Sequence, residues 1–273
     1  MTQPDLTTLE FTPFTAQHLT GALALSRALN WPHRLEDWAL SFSVSQGVVA
    51  MAGGRVVGTA LCSMHGPVAT LNMIIVDEAM RGRGLGRQLM QRIIALAETR
   101  EMRLVATDDG KPLYRKLGFE DCGQIVQLQG VANAATPERP VQAGPVDLEL
   151  LAQMDTAASG LERVALLTRI AASGVTLRTD GGFALLREFG RGHVLGPVVA
   201  QDAGAGRALI AAGATQMAGQ FLRIDVTAAH GLAPFVETLG LSPVGGGTAM
   251  VHSPRARAAS DYHTYALVSQ ALG

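Results

Sequence analysis

The stretch Asn72-Met-Ile-Ile-Val-Asp-Glu-Ala-Met-Arg-Gly-Arg-Gly-Leu-Gly-Arg-Gln-Leu-Met-Gln91 decides how this chain folds. Residues 72–76 are apolar and rich in β-branched side chains, the composition of a strand. Residues 81–86 form a glycine-rich turn. Beyond it Leu85, Leu89, Ile93, Leu96 and Ala97 recur at helical spacing, so a helix follows. A strand, a glycine turn and a helix start together make an anion site. Glycine admits positive φ and a close approach of backbone to ligand. The first N–H groups of a helix lack internal partners, and the helix dipole adds partial positive charge there. Arg81, Arg83 and Arg87 reinforce it, and a phosphate or pyrophosphate is the expected guest.

The glycine spacing sorts the phosphate ligands. A P-loop ends in Gly-Lys-Ser/Thr, which Arg87-Gln88 does not supply. A dinucleotide fingerprint requires a third glycine where Arg87 stands. The spacing that fits is Arg81-x-x-Gly84-x-Gly86, following a strand. It resembles the acyl-CoA pyrophosphate loop of the GNAT superfamily of N-acetyltransferases. On the hexapeptide alone, a surface turn that binds nothing stays open. Farther along, Thr107-Asp-Asp-Gly-Lys-Pro-Leu-Tyr-Arg-Lys-Leu-Gly-Phe119 ends in Leu-Tyr-x-Lys-Leu-Gly-Phe. This resembles the second GNAT signature, at the expected distance and after the expected strand.

Outward from these motifs, pattern and turn residues predict strands over 9–14, 48–51, 56–63, 68–76, 103–107 and 119–128. They predict helices over 16–30, 35–42, 85–100 and 111–117, with residues 1–8 a loose tail. The order β-α-α-β-β-β-α-β-α-β is that of a GNAT domain. Residues 129–146, with Pro137, Pro140 and Pro145, read as a linker with a strand at its far end.

The rest of the chain reads as a worn repeat. Gly204-Ala-Gly-Arg207 matches Gly84-Leu-Gly-Arg87 at an offset of 120, with Gln201 at the Arg81 position. Residues 234–241 match 112–119 at an offset of 122, an ordinary loop indel apart. Helices over 148–154 and 161–172 and strands over 183–187, 193–200 and 222–226 fill the remaining places. Val236 replaces Tyr114, and the turn before Gly204 is shorter. The tail after Pro254, with Arg255, Arg257, Tyr262, His263 and Tyr265, reads as a strand or helix closing this half. The expected fold is therefore mixed α/β, two tandem GNAT folds: an N-terminal domain over 1–128, a linker over 129–146 and a degenerate C-terminal domain over 147–273. The second domain is expected to pack on the first and help form the acceptor site.

Composition excludes other classes. Net charge is −1 and charged residues are 16%, so no basic field argues for nucleic acid, and no run reaches the ~18 apolar residues of a membrane span. Met1-Thr-Gln-Pro-Asp5 lacks the basic and apolar regions of a signal peptide, so none is expected. Two cysteines, Cys62 and Cys122, suggest no disulfide framework, so a reducing, cytoplasmic setting is expected. The histidines show no metal-ligand spacing, and no metal is expected. Homodimer formation is left open.

The resemblance implies transfer of an acetyl group from the cosubstrate acetyl-CoA to an amine in a ternary complex. It implies that Arg81, Gly82, Arg83, Gly84, Leu85, Gly86 and Arg87 hold the pyrophosphate. It also implies that the backbone of Ile74, Ile75 and Val76 pairs with the pantetheine arm, where these residues are otherwise plain core strand. Tyr114 matches the residue that gives a proton to the departing thiolate in many relatives; the alternative is a tyrosine packed between helix and sheet. Asn72, expected on the face of its strand shared by Ile74 and Val76, cannot act as a base but can orient a water. Asp77, Glu78, His65 and His33 are further candidates for handling the amine proton. Trp31, His33 and Trp38 lie in one elbow, where they wall the acceptor pocket or staple two helices to the core. The leading reading is an N-acetyltransferase acting on a small-molecule amine. A non-catalytic acyl-CoA sensor and an acetyltransferase of protein N-termini or lysines are the rivals.

Overall fold

The structure is a computed structural model and describes residues 9–273; the tail expected over 1–8 lies outside them. β1 (Leu9–Pro13) leads into α1 (Leu19–Ala28) and α2 (Leu35–Ser43). Three antiparallel strands follow, β2 (Ser45–Ala52), β3 (Arg55–His65) and β4 (Val68–Val76). Then come α3 (Leu85–Ala97), β5 (Glu101–Ala106), α4 (Lys111–Lys116) and β6 (Glu120–Val131). After the short β7 (Gln142–Ala143), the pattern repeats with α5 (Leu148–Ser159), α6 (Val164–Ser173), β8 (Val175–Thr179), β9 (Gly182–Phe189) and β10 (Gly192–Ala200). It closes with α7 (Ala203–Gln216), β11 (Phe221–Thr227), α8 (Ala233–Thr238), β12 (Ser242–His252) and β13 (His263–Ala266).

Local chemistry accounts for the helices. Leu85, Leu89, Ile93 and Ala97 put a buried stripe of α3 on the sheet. Alanine and glycine fill the buried face of α7, so it packs close to its strands. Asp147 caps α5 by accepting from the N–H of Glu149 and Leu150, and Gly160 ends it in the left-handed conformation.

The strands form one sheet in the order β1-β2-β3-β4-β5-β12-β6-β11-β13-β10-β9-β8-β7. The two halves interlock at its centre. β12, from the second half, lies between β5 and β6 of the first, and β6 pairs with β11 of the second. The last strand of the first half therefore runs past the boundary expected at residue 128, and the backbone N–H groups of Ala132 and Asn133 donate to Gln220 and Leu239. Pattern reading finds neither β8 nor β12. The Gly245-Gly-Gly247 run, which has no apolar pattern, pairs with Gln127, Val126 and Ile125.

Two expectations are corrected. Trp38 does not wall a pocket. It is fully buried, stacked on Phe14 with centroids 6.1 Å apart, and its indole N–H donates to Ser26 Oγ at 3.0 Å, so it staples α1 to α2. Nor does Asn72 share a face with Ile74 and Val76. The β3–β4 register slips between Thr59↔Ile75 and Leu61↔Asn72, a bulge that inverts the pleat. Asn72 thereby faces the α1–α2 side with Leu61 and Ile75, whereas Ile74 and Val76 pack on the α3 side.

Candidate active site

The glycine loop has the form that an anion needs. Asp77 caps a short 3-10 turn over Glu78–Met80, and the chain then crosses an exposed stretch into α3. Gly82 and Gly84 take φ of 76° and 75°, and nothing lies within 4 Å of a Cβ built on either. The N–H groups of residues 82–87 have no acceptor among the described residues. Arg81, Arg83 and Arg87 are exposed and pair with no described carboxylate. Gly86 instead serves packing, with Leu113 of α4 3.3 Å from where its Cβ would be.

A groove leads inward from this loop. β4 and β5 are parallel and pair only through Val68–Thr70. From Leu71 onward they separate, and one edge of β4 is left without a strand partner. Met73, on the bulge, holds φ of 50°, a conformation that costs a non-glycine residue about 1 to 3 kcal/mol. Thr59 Oγ1 donates to its carbonyl at 2.8 Å. Tyr114, on α4, meets the groove near its bend. Its ring is buried, and its hydroxyl has no hydrogen-bond partner among the described residues. Burial pushes its pKa up to about 12, so the phenol stays protonated.

Beyond the bulge the groove opens into a cavity of about 370 Å³. The first half contributes Trp31, His33, Asn72, Thr107 and Tyr114, and the second contributes Phe189, Arg223, Ser269 and Gln270. Asn72 Nδ2 donates to Ser63 Oγ at 3.0 Å, and Asn72 Oδ1 is buried without a partner. His33 Nδ1 is likewise unpartnered. Burial lowers the His33 pKa to about 4; Arg223 and Arg187 push the same way and Asp37 opposes them. The β9–β10 hairpin closes the cavity from the second half. Gly190 approaches Pro32 so closely that a Cβ would lie 3.1 Å from it, and its N–H donates to Asp37 at 3.0 Å. Arg34 and Glu188 pair beside this contact at 2.7 Å.

The structure thus brings Tyr114, Asn72, Ile74, Trp31 and His33 into one cavity continuous with the groove. It sets the other candidates apart. Asp77 is spent on Ala79 N–H and Arg55, Glu78 is exposed, and His65 is buried near Arg163 and Arg103. Sequence reasoning misses Phe189, Arg223, Ser269 and Gln270, because only the exchange of strands brings them to the first half.

The second half repeats the design in closed form. The bulge recurs, since the β9–β10 register slips between Leu195↔Leu186 and Val198↔Ala184. β10 and β11 are parallel and pair only at His193 and Val194 before they separate. Here, however, β13 fills the gap, pairing with Val198–Ala200 on one side and Val226 on the other. Asp202 caps α7 by accepting from Ala205 N–H at 2.9 Å, and Arg139 pairs with it at 2.8 Å. No glycine of this loop has positive φ.

The architecture is a tandem GNAT fold in which one half keeps a free strand edge beside its cavity. The comparisons agree. A model of the GNAT acetyltransferase domain matches residues 43–121, and a second GNAT domain model matches residues 151–266. Between them they cover well over half the chain, which belongs to the GNAT acetyltransferases. It is 26% identical over 274 residues to the uncharacterized N-acetyltransferase YitH of Bacillus subtilis, covering 94% of this chain and 96% of that one. A candidate acetyltransferase of Pyrococcus horikoshii superposes with a TM-score of 0.84 at 18% identity, covering 98% of this chain and 96% of that one. A tandem GNAT protein from the clavulanic acid biosynthesis pathway superposes with a TM-score of 0.60 at 15% identity, covering 92% and 100%. At such identities the structural likenesses speak for the fold.

Proposed function

We propose that the protein transfers an acetyl group from acetyl-CoA to the amine of a small molecule by direct attack. One observation carries the reading: the separation of β4 and β5 beyond Thr70 leaves the edge of β4 free beside the cavity, while its counterpart beside β10 is filled by β13. The N–H groups of residues 82–87 and the three arginines suit the pyrophosphate of the cosubstrate. The free edge of β4 over 71–76 suits the amides of its pantetheine arm. Acetyl-CoA supplies the activated acyl group.

The residues of the chain then divide the work. The cavity holds the amine against the bend of β4, which turns a bimolecular encounter into a positioned one. The amine nitrogen attacks the acyl carbon, the C–S bond breaks, and the sulfur leaves with the electron pair. Tyr114 donates a hydrogen bond to that sulfur; with its pKa raised, it acts by charge stabilisation more than by full proton transfer. The amine sheds a proton to solvent before it attacks, since the surroundings that hold His33 neutral also disfavour an ammonium, and the second proton, released as the amide forms, passes through solvent to the departing sulfur. Asn72 Oδ1, unpartnered in the wall, suits an N–H of the acceptor or a bridging water. The enclosing β9–β10 hairpin favours a small acceptor over a protein chain.

The test is saturable, amine-dependent release of free thiol from acetyl-CoA by the purified protein. Acetyl-CoA binding without release for any class of amine would instead support an acyl-CoA sensor.

A further inference from the structure

The walls of the cavity carry an uneven set of charges. Among the described residues, tyrosine, asparagine, threonine, serine and glutamine line it, with one histidine and one arginine, and no aspartate or glutamate does. The arginine is Arg223, on β11 of the second half. Its Nε and Nη2 both donate to Asp225, at 3.0 and 2.8 Å, and Asp225 is fully buried. That bidentate pair fixes the guanidinium plane. Nη1 has no partner among the described residues and is not sealed from the cavity. The ring of Phe189 lies under the guanidinium carbon at 5.2 Å. Gln270 Nε2 donates to Gln127 Oε1 at 3.0 Å and to Asp225 Oδ1 at 3.3 Å, which ties the same corner together. The adjoining cavity of about 330 Å³, with Leu71, Val105, Gln270 and Ala271 in both walls, is lined by Arg103, Arg163 and Arg257, which pair with Glu101 and Asp155 behind the wall, and by no aspartate or glutamate among the described residues.

We propose that the acceptor is an amine that also bears a carboxylate, and that Arg223 is the residue that selects it. The proposal rests on the acetyl-transfer reading of the same cavity. An oriented guanidinium with one free N–H is a donor for a carboxylate oxygen. The amine end then lies toward Asn72 Oδ1 and Tyr114, where the acyl carbon is presented. Diamines and polyamines are selected against, because a second ammonium meets the free N–H of Arg223, whose partner Asp225 is already engaged, and finds no other carboxylate in the described lining.

Matched acceptors test this: glycine against glycinamide, β-alanine against β-alaninamide, and putrescine as the dication. kcat/KM is read from thiol release. The carboxylate member of each pair is expected to be better by about tenfold or more, chiefly through KM. In Arg223→Gln the ratio falls to about one. Because that change leaves Asp225 buried and unpaired, the double variant Arg223→Gln/Asp225→Asn is measured beside it, with a thermal melt of each. Saturation-transfer NMR with the same pairs reads binding independently of turnover. Putrescine or the amides matching the carboxylates in the wild-type protein, or an unchanged ratio in a folded variant, overturns the proposal. Failure of every acceptor, with no acetyl-CoA binding by calorimetry, overturns the acetyl-transfer reading instead.

Discussion

At the scale of single residues, the chemistry turns on a few groups held in uncommon states. Tyr114→Phe keeps the ring and removes only the hydroxyl. It is expected to leave acetyl-CoA affinity near the wild-type value and to lower kcat about ten- to a hundredfold, read by thiol release, since positioning remains. His33 and His65 are both held near pKa 4, mainly by burial, below the ordinary value of about 6.5. Between these values the unfolded chain binds more protons than the folded one, so stability falls as pH falls. Full stability is expected above about pH 6.5, with a loss on the order of a few kcal/mol by pH 4. Denaturant titrations across that range check it, and replacing either histidine by Gln should flatten the slope. Sequence alone points to Tyr114 and the glycine loop, because each sits in a motif of fixed spacing. It places Asn72 on the wrong face, since a bulge leaves no mark in an apolar run, and it cannot separate Trp31 from Trp38 when both lie in one elbow.

At the scale of elements, two loops of the same spacing have opposite fates. The first leaves its amides free, and the second spends them on Asp202 under Arg139. Calorimetry with acetyl-CoA is therefore expected to show one site. Gly84→Asp should abolish it by putting a charge and a Cβ where φ is 75° and an anion belongs, while Gly204→Asp should leave it intact. Two sites, or loss in Gly204→Asp alone, would reverse the assignment of the halves. The helices and central strands are legible because their periods are regular. β13 is legible only as a strand or helix closing the second half, because His263-Thr-Tyr-Ala266 has no period of its own and becomes a strand through the edges of β10 and β11.

At the scale of the whole molecule, the exchange of β6 and β12 couples the halves. Neither half retains a complete sheet alone, since β5 lacks β12 and β11 lacks β6 when they are separated. Residues 1–137 and 138–273 are each expected to be largely unfolded when expressed singly and to recover circular dichroism and thiol release when co-expressed. A stable, cooperatively melting single half would refute the coupling. The sequence repeat reveals the two folds, but a period of about 120 residues is equally compatible with two domains side by side. Register between distant strands carries no local signature, so the interlock emerges only in three dimensions.

The interlock is the arrangement of a strand-swapped homodimer whose two chains have been joined end to end. In such a dimer, identical chains force both grooves to stay alike. Covalent joining removes that symmetry: one groove remains open, and the other half is free to fill its own and lend Arg223 and Phe189 to its neighbour.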